Sequence, residues 1–236
     1  MRKLFLLFLV LILSQNILYA DFDHTEMIFS LKNNNVENIN ERLNKILAIM
    51  RYRIASFRLD KAVSGIRNNK IYVNIPENQY EKRIEKLLSE QGDVFVYEVG
   101  KGKSAGQRIS GRFSPKVVTI TGKPLISNGS IKDLKIAELN DKSYLLVFIL
   151  NPIASHSFGI ATEKVIGKDI ALIVSGKWIN ISRVTEKIDS GQVAFPMNYP
   201  MEEAMSMLAV ISLGSYPEAI ELESVLKTEA PYIFGN

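Results

Sequence analysis

Between Met27 and Val99 the apolar residues switch between a period of two and a period of three to four, and the order of those switches limits the fold more than any other stretch of the chain. Met27 to Leu31 fits a short strand, and Asn33, Asn34 and Asn35 can cap a helix. Val36, Ile39, Leu43, Ile46, Leu47, Met50 and Ile54 then recur at three- and four-residue steps, the apolar stripe of a helix of about five turns. Glu37 and Glu41 lie near its start and Arg51 and Arg53 near its end, as the helix dipole favours. Phe57, Leu59, Lys61 and Val63 fall on one face of an alternating strand, Gly65 to Asn69 reads as a turn, and Ile71, Val73 and Ile75 alternate until Pro76. Tyr80, Ile84, Leu87 and Leu88 stripe a second helix closed by Gly92, and Val94 to Val99 is a further strand. This is the order of the ferredoxin-like split βαββαβ arrangement, with both helices on one face of an antiparallel sheet.

The composition then changes. Gly100 to Gly106 reads Gly-Lys-Gly-Lys-Ser-Ala-Gly, a flexible segment that marks a domain boundary. From Val99 to Ile131 there are six basic residues and no acidic one, a solvated loop face or a surface for an acidic partner. Val117 to Thr121 and Tyr144 to Leu150 read as strands. Asn151-Pro152 starts a helix that runs to about Val165 and ends at Gly167. Ser175-Gly176 is a two-residue hairpin signal between Ile170–Val174 and Lys177–Ile181. Gln192 to Phe195 is a short strand, and a helix follows from Pro200 to Gly214. Met201, Ala204, Met205, Leu208 and Ile211 stripe that helix, so the methionines belong to its core face. Ala219 to Leu226 fits a last strand. The expectation is an α+β chain: a ferredoxin-like base over 27–100 and 217–234, with a head subdomain inserted over 106–215. Gly100, Gly102, Gly106, Gly214 and Pro217 are the expected hinge.

At the N-terminus Met1-Arg2-Lys3 precedes an unbroken apolar run, Leu4 to Leu13, and Ala20 precedes Asp21. That is the order of a secretory signal peptide, or of an uncleaved anchor over 4–20, since a full membrane span needs about 20 apolar residues. Either places the rest of the chain outside the cytoplasm. With no Cys and only His24 and His156, disulfides, thiolate zinc sites, iron–sulfur clusters, a catalytic Cys and multi-histidine metal centres are excluded. The net charge of +4 includes Arg2 and Lys3, and gives little reason to expect a nucleic-acid partner. Gly102-Lys103-Ser104 lacks the first Gly of a phosphate loop, and no Gly-x-Ser-x-Gly elbow exists. No acid, base or nucleophile constellation emerges, so neither an enzyme nor a cofactor is expected. One segment suits capture of an unfolded chain if it is exposed: the dense apolar turn with Phe195, Met197, Tyr199 and Met201.

The stretch Gly167-Lys168-Asp169-Ile170-Ala171-Leu172-Ile173-Val174-Ser175-Gly176-Lys177-Trp178 resembles the head of the first periplasmic domain of the SecD family of protein-export subunits. Glu186 to Gly191, and Glu202-Glu203-Ala204 through Gly214-Ser215-Tyr216-Pro217, follow the family order. Asn69-Lys70-Ile71-Tyr72-Val73-Asn74-Ile75-Pro76 is similar to a hairpin of the family's base, and Pro217 to Gly235 resembles its returning strand. Three features depart from the pattern. A Gly-Leu-Asp-Leu-x-Gly-Gly motif is missing near Met27 to Asn35, Ser175 stands where an Asp is usual, and this sequence carries no membrane half with proton-carrying carboxylates. The resemblance therefore implies the architecture, a periplasmic setting, and binding of emerging exported polypeptide or export-channel subunits, without proton-driven pulling. The alternative is a scaffold module of another envelope complex, such as an efflux-type transporter.

Overall fold

The computed structural model describes residues 24–33, 37–59, 61–77, 80–101, 106–140, 143–212 and 214–228. The basic–apolar N-terminus at 1–20, Gly102 and the tail to Phe234 lie outside these residues. In chain order the elements are β1 (His24–Leu31), α1 (Ile39–Ala55), β2 (Val63–Arg67), β3 (Lys70–Pro76), α2 (Glu81–Ser89), β4 (Val94–Val99), β5 (Gln107–Ser110), β6 (Val117–Ser127), β7 (Ile131–Asn140), β8 (Ser143–Leu150), α3 (Pro152–Lys164), β9 (Asp169–Val174), β10 (Lys177–Arg183), β11 (Gln192–Met197), α4 (Met201–Ile211) and β12 (Ile220–Thr228).

A four-stranded antiparallel sheet, in the order β12-β1-β3-β2, carries α1 and α2 on one face. Met27, Phe29 and Leu31 of β1 and Ile71, Val73 and Ile75 of β3 point to that face by the two-residue period of a strand. They meet the α1 stripe (Leu43, Ile46, Leu47, Met50, Ile54) and Ile84 and Leu88 of α2. α1 begins later than its sequence predicts. Asn38, in the left-handed region at φ 56°, precedes it and makes no side-chain cap, while Asn34 and Asn35 of the expected cap lie outside the described residues.

Three expectations for this sheet are corrected. Phe57 and Leu59 are not in a strand: the chain turns after α1, with Phe57 N–H and Arg58 N–H donating to Ile54 and Ala55 carbonyls. Gly65 lies inside β2, and the reversal is confined to Asn68-Asn69 at φ 51° and 57°, two successive left-handed residues of the kind that matches strand twist. The larger correction concerns the fourth strand. Val94–Val99 leaves this sheet and pairs with β6 and β9, and the place beside β1 is taken by β12, with Leu31 opposite Ile220. The reason is burial on both faces. Val94 and Val96 enter one core while Phe95, Tyr97 and Val99 meet another. Such a strand belongs inside a covered sheet, whereas β12, with Ile220 and Leu222 inward and Glu221 and Glu223 outward, suits an edge.

Strands β4 to β11 build two further sheets, of order β10-β9-β4-β6-β5 and β11-β8-β7. The expected boundary at Gly100–Gly106 falls inside the first of them. Gly100 N–H donates to Thr119 O at 2.8 Å, and a Cβ on Gly106 would sit 2.2 Å from Ile120 O. Close approach of backbones, rather than mobility, explains that glycine. The five-stranded sheet curls until Arg112 N–H reaches Trp178 O, 2.9 Å, enclosing Ile109, Val118, Ile120 and Ile173. Between the two sheets, with α3 and α4, lies the largest core, where the Phe148 and Phe195 rings pack with centroids 5.6 Å apart. α3 starts where its sequence predicts, with Asn151 Oδ1 accepting from Ala154 N–H at 2.9 Å and Pro152 in its first turn.

Arg53 joins these parts. At the end of α1 it has no solvent exposure. It donates to Leu87 O (3.0 Å) and to Glu90 O at the end of α2, and to Val210 O (3.3 Å) near the end of α4, and it stacks 4.3 Å over the Tyr216 ring. Carbonyls at helix C-termini lack intrahelical donors and carry partial negative charge, so they suit a buried cation. Gly92, at φ 92°, passes so close that a Cβ would lie 2.7 Å from the Arg53 guanidinium and from Gly214 O. Tyr216 O–H donates to Leu88 O at 2.9 Å, and burial pushes its phenol up to about 12. A raised folded-state value means stability that is complete below the ordinary tyrosine range near ~10 and is lost as pH climbs toward ~12. Urea unfolding should therefore show wild type losing on the order of 1 kcal/mol more than Tyr216→Phe between pH 9 and pH 11.

Candidate polypeptide-binding groove

α4 starts after Pro200, whose extended backbone (φ −53°, ψ 146°) turns the chain into the helix, and Glu202 and Glu203 occupy its positive end. Of the stripe expected to face the core, Ala204 and Ile211 are buried and the two methionines are not. Ala204, Met207, Val210 and Ile211 are buried, while Met201 is 39% and Met205 48% exposed. Both sets have helical spacing and both are apolar, so periodicity alone did not separate them.

Of the four residues expected to capture polypeptide, only Met201 lies on an open surface. Phe195 and Met197 alternate inward with Val193 along β11 and are each 1% exposed, and their side chains are spent on the largest core. Tyr199 donates its hydroxyl to Ile179 O at 2.6 Å, and its ring lies 4.0 Å from that of Phe113. Burial pushes that phenol up. Among the expected hinge residues, Gly100 and Gly106 stand within the curled sheet, Gly214 (φ 73°) donates to Ile211 O at 2.8 Å, and Pro217 is exposed on the return to β12.

Met201 and Met205 do not stand alone. They line a groove of about 290 Å³ with Phe57 and Tyr80, which come from the turn after α1 and the start of α2. The two rings lie 6.0 Å apart at 47°, an arrangement that edge-on aromatic contact favours. Arg83 and Glu202 pair across the groove at 2.7 Å, and Arg58 adds a second cation at the rim. The pair is largely exposed and contributes about 0–1 kcal/mol, so it orients more than it stabilises. The floor offers two unbranched, polarizable side chains and two rings. These can bury apolar side chains of varied shape without a fixed hydrogen-bond pattern. Sequence reasoning missed Phe57 and Tyr80, having assigned them to a strand face and a helix stripe.

His156 is exposed on α3, and no cluster of three His, Asp or Glu able to hold a metal exists among the described residues. Nor does any described helix have the length and apolar character to cross a membrane.

No family model matches the chain. It is similar to the protein translocase subunit SecD of Rickettsia bellii (strain RML369-C), with 19% identity over 199 residues, 78% of this chain. The chain spans 39% of the length of that curated relative. Among solved structures it is similar to SecDF in a super-membrane-facing form, with a TM-score of 0.68 and 17% identity over 86% of this chain and 30% of that one. It is also similar to a structure of SecDF described as a membrane component that enhances protein export. There the TM-score is 0.65 at 17% identity, over 84% of this chain and 98% of that one. At these identities the structures establish a shared mixed α+β fold.

The two faces of α4 separate in a stability measurement. Met207→Ala, at a site with no exposure, should cost about 2–5 kcal/mol in denaturant unfolding, and Met205→Ala under about 0.5 kcal/mol.

Proposed function

Taking the chain as SecD-like, we propose that it is an exported accessory in protein translocation or envelope protein handling, one that holds emerging polypeptide or export-channel subunits and performs no chemistry on them. The observation that carries this reading is the open methionine–aromatic groove of Met201, Met205, Phe57 and Tyr80 on a SecD-like fold. An exposed apolar surface bounded by charges is what a soluble chain keeps when it has a partner to cover it. The likeness to a membrane component described as enhancing protein export supports the same direction.

In this reading the β12-β1-β3-β2 sheet with α1 and α2 is a ferredoxin-like base, and β4 to α4 form a head inserted between α2 and β12. The groove then straddles base and head, with Phe57 and Tyr80 on one side and the methionines on the other. Any swing of the head turns at the two crossings, near Gln91–Asp93 and near Gly214–Pro217, instead of at Gly100–Gly106. The basic–apolar N-terminus directs the chain to the periplasm, as a cleaved signal or as an inner-membrane anchor over 4–20.

The test is a photo-crosslinking residue placed in cells at Met205, with the same probe at Ile153, which is 82% exposed on α3, as comparison. Position 205 should capture exported chains or export-channel subunits at several times the yield of position 153. Equal capture at both positions, or unchanged export and envelope protein levels on deletion of the gene, overturns the reading.

A further inference from the structure

A second cleft, of about 520 Å³, opens where the end of α2 meets the turn between β9 and β10. Lys32, Lys86, Arg112 and Lys177 line it together with Glu85 and Glu90. Glu90 is committed to Arg112: the two side chains, 12% and 6% exposed, form a bidentate pair. Arg112 Nε remains buried without a partner. With that pair set aside, three lysines face one glutamate. Ion pairs elsewhere draw on other lysines, among them Lys45, Lys70, Lys168, Lys187 and Lys227. The Lys86 ammonium lies 6.0 Å from the centre of the Phe113 ring. Like charges gathered around one opening raise its potential and draw in anions.

We propose that this cleft docks an acidic stretch of polypeptide, whose carboxylates pair with Lys32, Lys86 and Lys177. The proposal deepens the polypeptide-holding reading and rests on it for the class of ligand. Spacing argues for a chain over a single small anion. Lys32 follows β1, Lys86 sits on α2 and Lys177 opens β10, so the three charges come from three separate elements around a volume much larger than one carboxylate. Each exposed pair is weak by itself, and useful affinity arises only when several carboxylates are tethered together.

The experiment uses the full chain and two labelled unstructured peptides of equal length, one rich in Asp and Glu and one neutral and apolar, read by fluorescence anisotropy. Trp178, the one tryptophan of the chain and the neighbour of Lys177, gives a second signal. The acidic peptide should bind, weaken several-fold as salt rises from about 50 to about 300 mM, and weaken roughly tenfold in Lys86→Glu/Lys177→Glu. The pair Lys135→Glu/Lys164→Glu, with the same change in net charge outside the cleft, should bind as wild type does. Lys86→Gln/Lys177→Gln gives a milder loss of about threefold should the reversal unfold the protein. No binding of the acidic peptide, equal loss in both reversed pairs, or displacement by inorganic phosphate at matched ionic strength overturns the cleft. Binding of the apolar peptide is independent of salt and of these lysines, so its success or failure judges the groove separately.

Discussion

A guanidinium with no exposure has to be surrounded by acceptors, and Arg53 gathers them from the ends of α2 and α4 while sitting at the end of α1 itself. Taking a cation out of water costs several kcal/mol unless its hydrogen bonds are replaced, and removing it here would leave helix-end carbonyls unsatisfied as well. The neighbourhood is built to its dimensions. Gly92 has no room for a Cβ, Tyr216 supplies a ring face and anchors its hydroxyl on α2, and Asn128 accepts from Val94 N–H and donates to Gly92 O. These contacts join the β12-β1-β3-β2 sheet to the β4–α4 sheets. They thereby fix where α4 stands against α1 and α2, which creates the methionine groove.

Two openings follow from that placement, and they differ in chemistry. One has an apolar floor of methionines and rings, and the other has lysines around a buried Arg112–Glu90 pair. An unfolded chain presents both apolar side chains and runs of charge. In the proposed function, a surface with both kinds of site holds such a chain at two points without demanding a particular sequence at either.

Much of the first part of the fold was legible because each element there sets its aliphatic residues on one face. The α1 stripe from Leu43 to Ile54, the alternation of Ile71, Val73 and Ile75, and the Asn151-Pro152 helix start all register as a single period with its proper ending. Legibility failed where both faces are apolar. β4 reads as a strand, but its sequence does not say which sheet it joins, and α4 is apolar round so much of its surface that Met201 and Met205 looked inward with Ala204 and Ile211. β7 was missed because Lys132, Asp133 and Lys135 hide the inward Leu134 and Ile136, as an edge strand with a solvated side allows. The groove was half legible. Met201 was named from composition, whereas Phe57 and Tyr80 join it only through chain reversals far apart in sequence.

The pairing of Leu31 with Ile220 carries a consequence in time. β1 is made long before β12, so the β12 side of β1 stays without a partner until β12 follows. Contacts of such long separation form late, after local helices and hairpins. During that interval β1 offers a row of unpaired backbone donors and acceptors, a template on which another extended segment can add. A protein proposed to hold unfinished chains thus passes, during its own maturation, through a stage in which it needs the same protection.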